Sequence, residues 1–357
     1  MVDAFVLFYT PIRVWKQCLE RGDAPDVLPY GLNNLERFGV RISYSDIAQN
    51  KYLKLPMRPL EKWLFGCDVI QPLLLTRQML RSDVIVSTLD RQGLFLGWLR
   101  ANRLLGLHKV PHVFISTSLA QEVETASPAR MRFLRKALSA VDRVVFYSSN
   151  QADIFEQRLG VPRERLRCIP FGANPDIFRP SDAEPKHYVV SVGWDKGRDY
   201  GTLVRAADGL PVEVRLVCAP SNLFGIPLPG NVKVEYKVPI SRLKTLYAES
   251  RAVVVPTHDF AYPTGQTVVL EAMAMAKPVI ATATEGMREY IDDGRSGLLV
   301  PPGDSDGLRR AIDRVLNDRD LAEKLGSTAR KAVQDRFNTV ELCRQLAEII
   351  KEVVHGD

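Results

Sequence analysis

Short apolar runs, separated by helical patterns, occur in two series along this chain. The first series is Ala4–Phe8, Val40–Tyr44, Val84–Thr88, His112–Thr117 and Val144–Ser148. The second is Tyr188–Val192, Val214–Cys218, Val232–Tyr236, Ala252–Val255, Pro278–Ala281 and Gly297–Val300. Short apolar runs that alternate with helical segments, such as Arg58–Leu80, are typical of buried strands in parallel sheets. The pattern predicts an α/β protein with two doubly wound, Rossmann-like domains facing a central cleft.

The segment Asn174–Pro185, rich in proline and acid, divides the two series. We therefore predict a first domain over residues 1–178 and a second over 179–337. The last part, 338–357, carries an apolar stripe at helical spacing and is predicted to be an amphipathic helix. A length of 357 residues suits two domains better than one core.

Composition indicates a globular protein with no membrane span. Hydrophobic residues make up 46% of the chain, and no apolar run reaches the roughly 18 residues that a transmembrane helix needs. The N-terminus reads as a strand and has an acid where a signal peptide has basic residues. We expect a cytoplasmic protein.

Charge is uneven along the chain. Residues 1–180 hold 25 Lys and Arg against 17 Asp and Glu, whereas the whole chain has a net charge of +6. The basic segment Arg130–Lys136, with apolar residues interleaved, could contact an anionic acceptor or the anionic inner face of a membrane. A solvated helix surface explains it equally well. Nucleic acid is not expected, because no recognition motif or aromatic platform accompanies the basic residues.

One strand–loop–helix segment has the features of an anion site. After the strand ending at Val255, a helix is predicted to begin at Gly265, Gln266 and Thr267, whose backbone N–H groups would face a phosphate or diphosphate. Glu271 follows about 7–8 Å further along the helix, the distance from a diphosphate to a ribose diol. The alternative is an ordinary amphipathic helix with Glu271 on its surface.

Motifs on both sides of this segment occur in a specific order. They are Leu246–Pro256, Thr284–Glu289, Gly297–Asp304 and, more weakly, Ile169–Pro180. Together they resemble the donor-binding domain of the family 4 retaining glycosyltransferases of GT-B fold, also called glycosyl transferases group 1. The resemblance implies that the first domain binds the acceptor and the second a UDP or GDP sugar. It also implies that the final helix returns to the first domain and that the base lies against backbone near Val238.

The loop after the strand Tyr188–Val192 departs from the family pattern. The family has an Arg just after Gly193 and a Lys several residues on, and both clamp the donor diphosphate. Here Trp194 takes the first place, and Arg198 maps onto the family's Lys. We predict that Lys196 and Arg198 hold the leaving diphosphate. The alternative is that both are surface bases.

Residues that would contact the sugar and the acceptor are harder to identify from the sequence. The family usually has a second Glu eight positions before Glu271, where this chain has Pro263, and Asp259 is the nearest upstream carboxylate. Family members often have a His after the fourth strand.

In this chain only hydroxyl side chains, Ser116, Thr117 and Ser118, follow that strand. The resemblance implies that Tyr30 and Gly31 take the place of the family's glycine-rich acceptor loop, and the alternative is a simple turn.

Two Asp-x-Asp strings, Asp304–Asp306 and Asp318–Asp320, resemble the metal-binding strings of other glycosyltransferases. Their surroundings indicate instead a helix N-cap for the first and a turn for the second. We expect neither metal nor cofactor.

The resemblance therefore implies a metal-independent, retaining transfer of a sugar from a nucleoside diphosphate to an acceptor hydroxyl. The expected product is a polysaccharide, a glycolipid or a natural-product glycoside. Two alternatives stay open. One is a nucleotide-sugar epimerase, which would need catalytic carboxylates and a His facing the sugar. The other is a non-catalytic nucleotide-sugar-binding subunit, suggested by Trp194 and Pro263.

Overall fold

The structure, a computed structural model, describes residues 1–44, 57, 59–62, 64 and 66–356. These residues form two compact units. The first consists of Met1–Leu19, Val27–Ile169 and Leu342–Asp357, and the second of Glu20–Asp26 and Pro170–Glu341.

The first unit contains a parallel sheet of six strands. They are β1 (Val2–Leu7), β2 (Val40–Ser43), β3 (Val84–Ser87), β4 (His112–Ile115), β5 (Arg143–Phe146) and β6 (Leu166–Cys168). Their order across the sheet is β2-β1-β3-β4-β5-β6. The five predicted strands are all present. The sixth, β6, was not predicted, because three residues with a central Arg give no apolar run.

Helices surround this sheet at Ile12–Glu20, Ile70–Leu74, Thr76–Met79, Asp90–Ala101, Leu119–Glu122, Pro128–Leu138 and Gln151–Asp153. A π-helical turn follows at Ile154–Arg158, and 3-10 segments lie at Pro29–Phe38, Leu104–Lys109 and Arg163–Arg165. The predicted helical segment 58–80 begins outside the described residues, and its later part contains two of the short helices.

The basic segment Arg130–Lys136 lies on the helix Pro128–Leu138, and its apolar residues face the core. Phe133 and Leu134 are buried, and so is Arg130, whose guanidinium pairs with Glu122 at 2.5 Å. Arg130, Phe133 and Leu134 are therefore not available to an anionic surface, whereas Arg132, Arg135 and Lys136 are exposed. Contact of this helix with an anionic acceptor or membrane stays a prediction. None of the helices in the described part of the chain is long and apolar enough to cross a bilayer.

The last helix, Thr339–His355, contributes most of its length to the first unit. Leu346 and Ile350 on its apolar stripe are fully buried. Near its end, Glu352 accepts hydrogen bonds from Arg143, at 2.9 Å, and from Arg167. Hydrophobic burial and these ion pairs fix the helix against strands β5 and β6.

The second unit contains another parallel sheet of six strands. They are β7 (Tyr188–Gly193), β8 (Glu213–Cys218), β9 (Val232–Glu235), β10 (Ala252–Val255), β11 (Val279–Thr282) and β12 (Leu298–Val300). Their order is β12-β11-β10-β7-β8-β9. Strands β8 and β9 lie on one side of β7, and the next strand along the chain, β10, lies on its other side. The two central strands, β7 and β10, therefore form the topological switch point of this sheet.

Helices of the second unit lie at Tyr200–Ala207, Ile240–Glu249, Gln266–Ala274, Glu285–Arg288, Ser305–Asn317 and Arg319–Asp335, with a 3-10 turn at Pro220–Leu223. Asp304 caps the helix Ser305–Asn317 by accepting from the Gly307 N–H at 2.8 Å, as its sequence context indicated. Asp318 caps the next helix through the Leu321 N–H at 2.9 Å. The turn predicted at Asp318–Asp320 is therefore a helix start, because helical residues follow the Asp directly.

Candidate active site

Two loops meet at the switch point of the second sheet, one after β7 and one after β10. The Asp195 carboxylate accepts from the Thr264 hydroxyl at 3.1 Å and from the Gly197 N–H at 2.8 Å. The His258 N–H donates to the Gly197 carbonyl at 2.9 Å. The bonds from Thr264 and from His258 hold the two loops together at the carboxyl ends of the strands, where ligands of open parallel sheets bind.

The side chain of Arg198 is buried between the two loops. Its Nε donates to the Val192 carbonyl at 3.1 Å, and Nη2 lies 3.6 Å from Asp195. Its Nη1 is buried and has no hydrogen-bond partner within the described part of the chain. A Cβ at Gly193 would lie 1.8 Å from Arg198 Nε, and one at Gly265 would lie 2.5 Å from Nη1. Glycine is therefore required at both positions for the guanidinium to fit.

The helix Gln266–Ala274 begins directly beside this guanidinium. Gly265 takes the N-cap position with φ 88°, a left-handed conformation that glycine adopts without strain. No side chain from the residues that the structure describes caps the helix. The Gln266 N–H donates to the Pro263 carbonyl at 3.2 Å, so a ligand would have to compete with this bond, and the role of Gln266 in donor binding stays a prediction. Gly265 and Gln266 are half-buried, and Thr267 is exposed.

Glu271 lies on the same helix and is only 6% exposed, so it is not the surface Glu of the alternative interpretation. The Tyr247 hydroxyl donates to its Oε2 at 3.1 Å. Burial raises the pKa of Glu271 to about 7, against the opposing effects of the Tyr247 hydrogen bond and the positive charge of Arg198. A carboxylate, a guanidinium and a helix start thus share one end of the sheet.

In the first unit, the three hydroxyl residues after β4 converge on Asp90. The Ser116 hydroxyl donates to Oδ1 at 2.8 Å, and the hydroxyls of Thr117 and Ser118 donate to Oδ2 at 3.0 and 3.2 Å. The N–H of Ser118 also donates to Oδ2, at 2.9 Å. These hydroxyls therefore donate to the Asp90 carboxylate and fix the conformation of the loop after β4.

Asp90 did not appear among the residues predicted from sequence. It begins the helix Asp90–Ala101 just after β3, and an acid between an apolar run and a helix was the available signal.

Burial and the Asp90 charge raise the pKa of Tyr30. Tyr30 and Gly31 have φ of 62° and 67° and form a left-handed turn inside a 3-10 segment, in line with the turn that the sequence allowed there. That they take the place of the family's acceptor loop stays a prediction. The Gly31 carbonyl accepts from Asn34 at 3.0 Å.

Two family profiles match the chain. The one described as "Glycosyl transferases group 1" matches residues 227–332, and "Glycosyl transferase 4-like domain" matches residues 35–172. Together they cover more than half of the 357 residues. The chain belongs to the group 1 glycosyltransferases. The glycosyltransferase is 23% identical over 289 residues to alpha-D-kanosaminyltransferase of Streptomyces kanamyceticus, covering 71% of this chain and 72% of that protein.

Solved structures establish the fold of this glycosyltransferase. HepE of Anabaena, in complex with UDP-glucose, matches with a TM-score of 0.73 at 18% identity, over 99% of this chain and 100% of that one. Sucrose-phosphate synthase of Thermosynechococcus elongatus matches with a TM-score of 0.70 at 19% identity, over 99% of each chain. These likenesses confirm the predicted GT-B fold class.

Other residues predicted from sequence lie around the second-unit site of the glycosyltransferase. Lys196 is exposed in the same loop as Arg198, and Trp194 is 45% exposed. Asp259 is exposed in the loop after β10. Val238 is half-buried in the loop after β9, which is two strands from β7. The structure thus brings Arg198 to the buried centre and leaves these four at its periphery.

Pro263 occupies the position where the family usually has its first Glu. It is buried, and a Cβ added at Gly286 would lie 3.0 Å from the Pro263 Cβ. Its ring therefore packs against the helix Glu285–Arg288. Over the described ranges, no group of three or more His, Cys, Asp or Glu side chains is placed to hold a metal ion.

Proposed function

We propose that this glycosyltransferase transfers a sugar from a nucleoside diphosphate sugar to an acceptor hydroxyl, with retention and without a metal. The observation that carries the proposal is the buried Arg198 guanidinium, whose Nη1 lies beside the helix start at Gly265 and has no hydrogen-bond partner among the described residues. An unpaired buried donor costs about 1–3 kcal/mol, more when it is charged. A diphosphate at this point would offset that cost.

The diphosphate is proposed to lie between Arg198 and the start of the helix. The N–H groups of Gly265 and Thr267 and the positive end of the helix dipole favour an anion there. Lys196, exposed on the same loop, adds a second cation as the ligand arrives. That HepE was solved with UDP-glucose supports a donor of this class.

Glu271 is proposed to accept the two ribose hydroxyls. It lies on the helix that begins at the diphosphate, and a carboxylate is the acceptor that suits a vicinal diol. The base is proposed to rest against backbone at Val238, in the loop after β9. Such contacts suit a UDP or GDP donor.

The proposed mechanism depends on stabilising the negative charge of the leaving diphosphate. As the glycosidic bond breaks, negative charge develops on the diphosphate, and Arg198 and Lys196 stabilise it without a proton transfer. The acceptor attacks the oxocarbenium-like sugar on the face that the diphosphate leaves, and a diphosphate oxygen takes the acceptor proton. The hydroxyls of Ser116, Thr117 and Ser118 donate to Asp90, so they shape the first-unit loop and are poor bases.

Calorimetric titration with UDP, GDP, ADP and dTDP tests the binding part of this proposal. One of these should bind, and Arg198→Ala should weaken binding by about 1–3 kcal/mol, the range of a charge-assisted hydrogen bond. Arg205→Ala is the matched control, because Arg205 is an exposed Arg of the same unit. Equal affinities of wild type and Arg198→Ala would remove Arg198 from the site.

Donor turnover tests the catalytic part. With the nucleotide sugar that binds and a panel of hydroxyl acceptors, NMR should show a product whose anomeric configuration matches the donor, and EDTA should not reduce the rate. Inversion, or loss of activity that Mg²⁺ restores, would contradict the mechanism. Interconversion of the sugar without acceptor would indicate an epimerase. Binding with neither transfer nor hydrolysis would indicate a non-catalytic subunit.

A further inference from the structure

Tyr247 lies in the last turns of the helix Ile240–Glu249 and is completely buried. Its hydroxyl donates to Glu271 Oε2 at 3.1 Å, across 24 residues of sequence. Its backbone is fixed as well, since its carbonyl accepts from the Ser250 hydroxyl at 2.9 Å. The hydroxyl therefore has a defined position relative to the carboxylate.

The surroundings of this pair contain few other polar groups. The positive charge of Arg198 acts to lower the pKa of both Glu271 and Tyr247. The Tyr200 hydroxyl, which also acts on Tyr247, donates to the Gly193 carbonyl at 2.9 Å. Asp195 lies beside Arg198 at 3.6 Å. Among the described residues, Arg198 and Tyr200 are the other titratable groups that act on the pair, and neither replaces the bond from Tyr247.

We propose that Tyr247 is a positioning residue of the donor site, whose hydroxyl holds the Glu271 carboxylate oriented and ionised for the ribose diol. This inference rests on the proposed function. A carboxylate has about four lone-pair positions, so the bond to Tyr247 leaves capacity for both ribose hydroxyls. An ionised carboxylate accepts both hydroxyls, whereas a protonated one has an O–H that must donate.

This arrangement makes ribose recognition depend on pH near neutrality. Burial places the pKa of Glu271 at about 7, so the ionised fraction rises between pH 6 and 8. The Tyr247 hydrogen bond lowers this pKa. Its removal therefore shifts the ionisation of Glu271 to higher pH.

The experiment measures the dissociation constants of UDP and 2′,3′-dideoxy-UDP from pH 6 to 9, or of the GDP pair if GDP is the nucleotide bound. Both members of a pair carry the same diphosphate, so the ratio of their constants isolates the ribose contribution. In the wild type, the preference for the intact ribose should rise with pH and level off above about pH 8. In Tyr247→Phe, it should rise about one pH unit later. At pH 7 this variant should bind UDP several-fold more weakly and dideoxy-UDP unchanged.

Tyr188→Phe is the matched control. Tyr188 is also a buried tyrosine of this unit, and its hydroxyl donates to the Leu246 carbonyl, on the same helix as Tyr247, at 2.9 Å. A purely structural effect of losing a buried hydroxyl would appear in both variants, whereas the shifted pH profile should appear only in Tyr247→Phe.

Three outcomes would overturn the inference: an unshifted profile in Tyr247→Phe, equal losses for both nucleotides, or a ratio independent of pH in the wild type. The pH dependence of the wild-type ratio tests the inference even if Tyr247→Phe does not fold. Failure of the wild type to bind any nucleoside diphosphate at any pH would instead contradict the proposed function.

Discussion

Replacing Glu271 by Gln should make the folded protein progressively more stable, relative to the wild type, as pH rises from 5 to 8. Burial raises the pKa of Glu271 from 4.5 to about 7. One pKa unit corresponds to about 1.4 kcal/mol, so the ionised form costs up to about 3 kcal/mol of unfolding free energy. Since the folded pKa is the higher one, the wild type has its full stability below about pH 4.5 and loses it as pH rises through 7. Gln is neutral throughout and avoids this loss.

The buried amide of the new Gln carries its own cost. Its Oε1 can still accept from Tyr247, but its NH₂ needs an acceptor, and an unpaired buried donor costs about 1–3 kcal/mol. That cost does not depend on pH. The discriminating quantity is therefore the difference in unfolding free energy between variant and wild type, which should change by about 2.5 kcal/mol in favour of the variant from pH 5 to pH 8.

Urea unfolding followed by tryptophan fluorescence at pH 5, 6, 7 and 8 measures this change. Glu20→Gln, at an exposed position, serves as the control and should show no trend with pH. A variant-minus-wild-type difference that stays constant from pH 5 to 8 would refute the reasoning. The same Glu271→Gln variant should lose affinity for UDP, because the ionised carboxylate lowers the stability of the fold but is the form that accepts both ribose hydroxyls.

Two further predictions concern the loops that hold the sites. Gly265→Ala should destabilise the second unit by roughly 1–3 kcal/mol and weaken nucleotide binding, because φ is 88° and the new Cβ would lie 2.5 Å from Arg198 Nη1. Thermal unfolding checks it against Gly225→Ala, with φ 74° and open space; equal losses would show that backbone strain alone is responsible. Asp90→Ala should cost roughly 2–4 kcal/mol, because the donors of Ser116–Ser118 lose their acceptor. Asp90→Asn should cost less, and equal stability of wild type and Asp90→Ala would contradict that role.

Local patterns in the sequence were sufficient for the fold class and for most strands. Every predicted apolar run became a strand, because buried parallel strands need continuous apolar residues. Among the strands of the described residues, only β6, with three residues, lacked that signal. The motifs around Gly265 and Glu271 likewise sufficed for the family, since loop and helix start are encoded within one short segment.

Interactions between distant residues could not be predicted in this way. Arg130 looks basic and available in the sequence, yet it pairs with Glu122 and is buried. Asp90 looks like an ordinary helix-start acid, yet it accepts from three hydroxyl residues that follow the neighbouring strand β4. Both outcomes depend on which helices and strands become neighbours, and periodicity does not contain that information.

The sequence by itself determined that this chain is a group 1 glycosyltransferase with two parallel sheets and a glycine-led helix start. Only the tertiary structure decided what surrounds that helix. It placed β7 beside β10, buried Arg198 between Gly193 and Gly265, and set Tyr247 against Glu271. The physical reason is that burial and hydrogen bonding across strands set the charge and orientation of these groups, and both arise only when separate segments pack together.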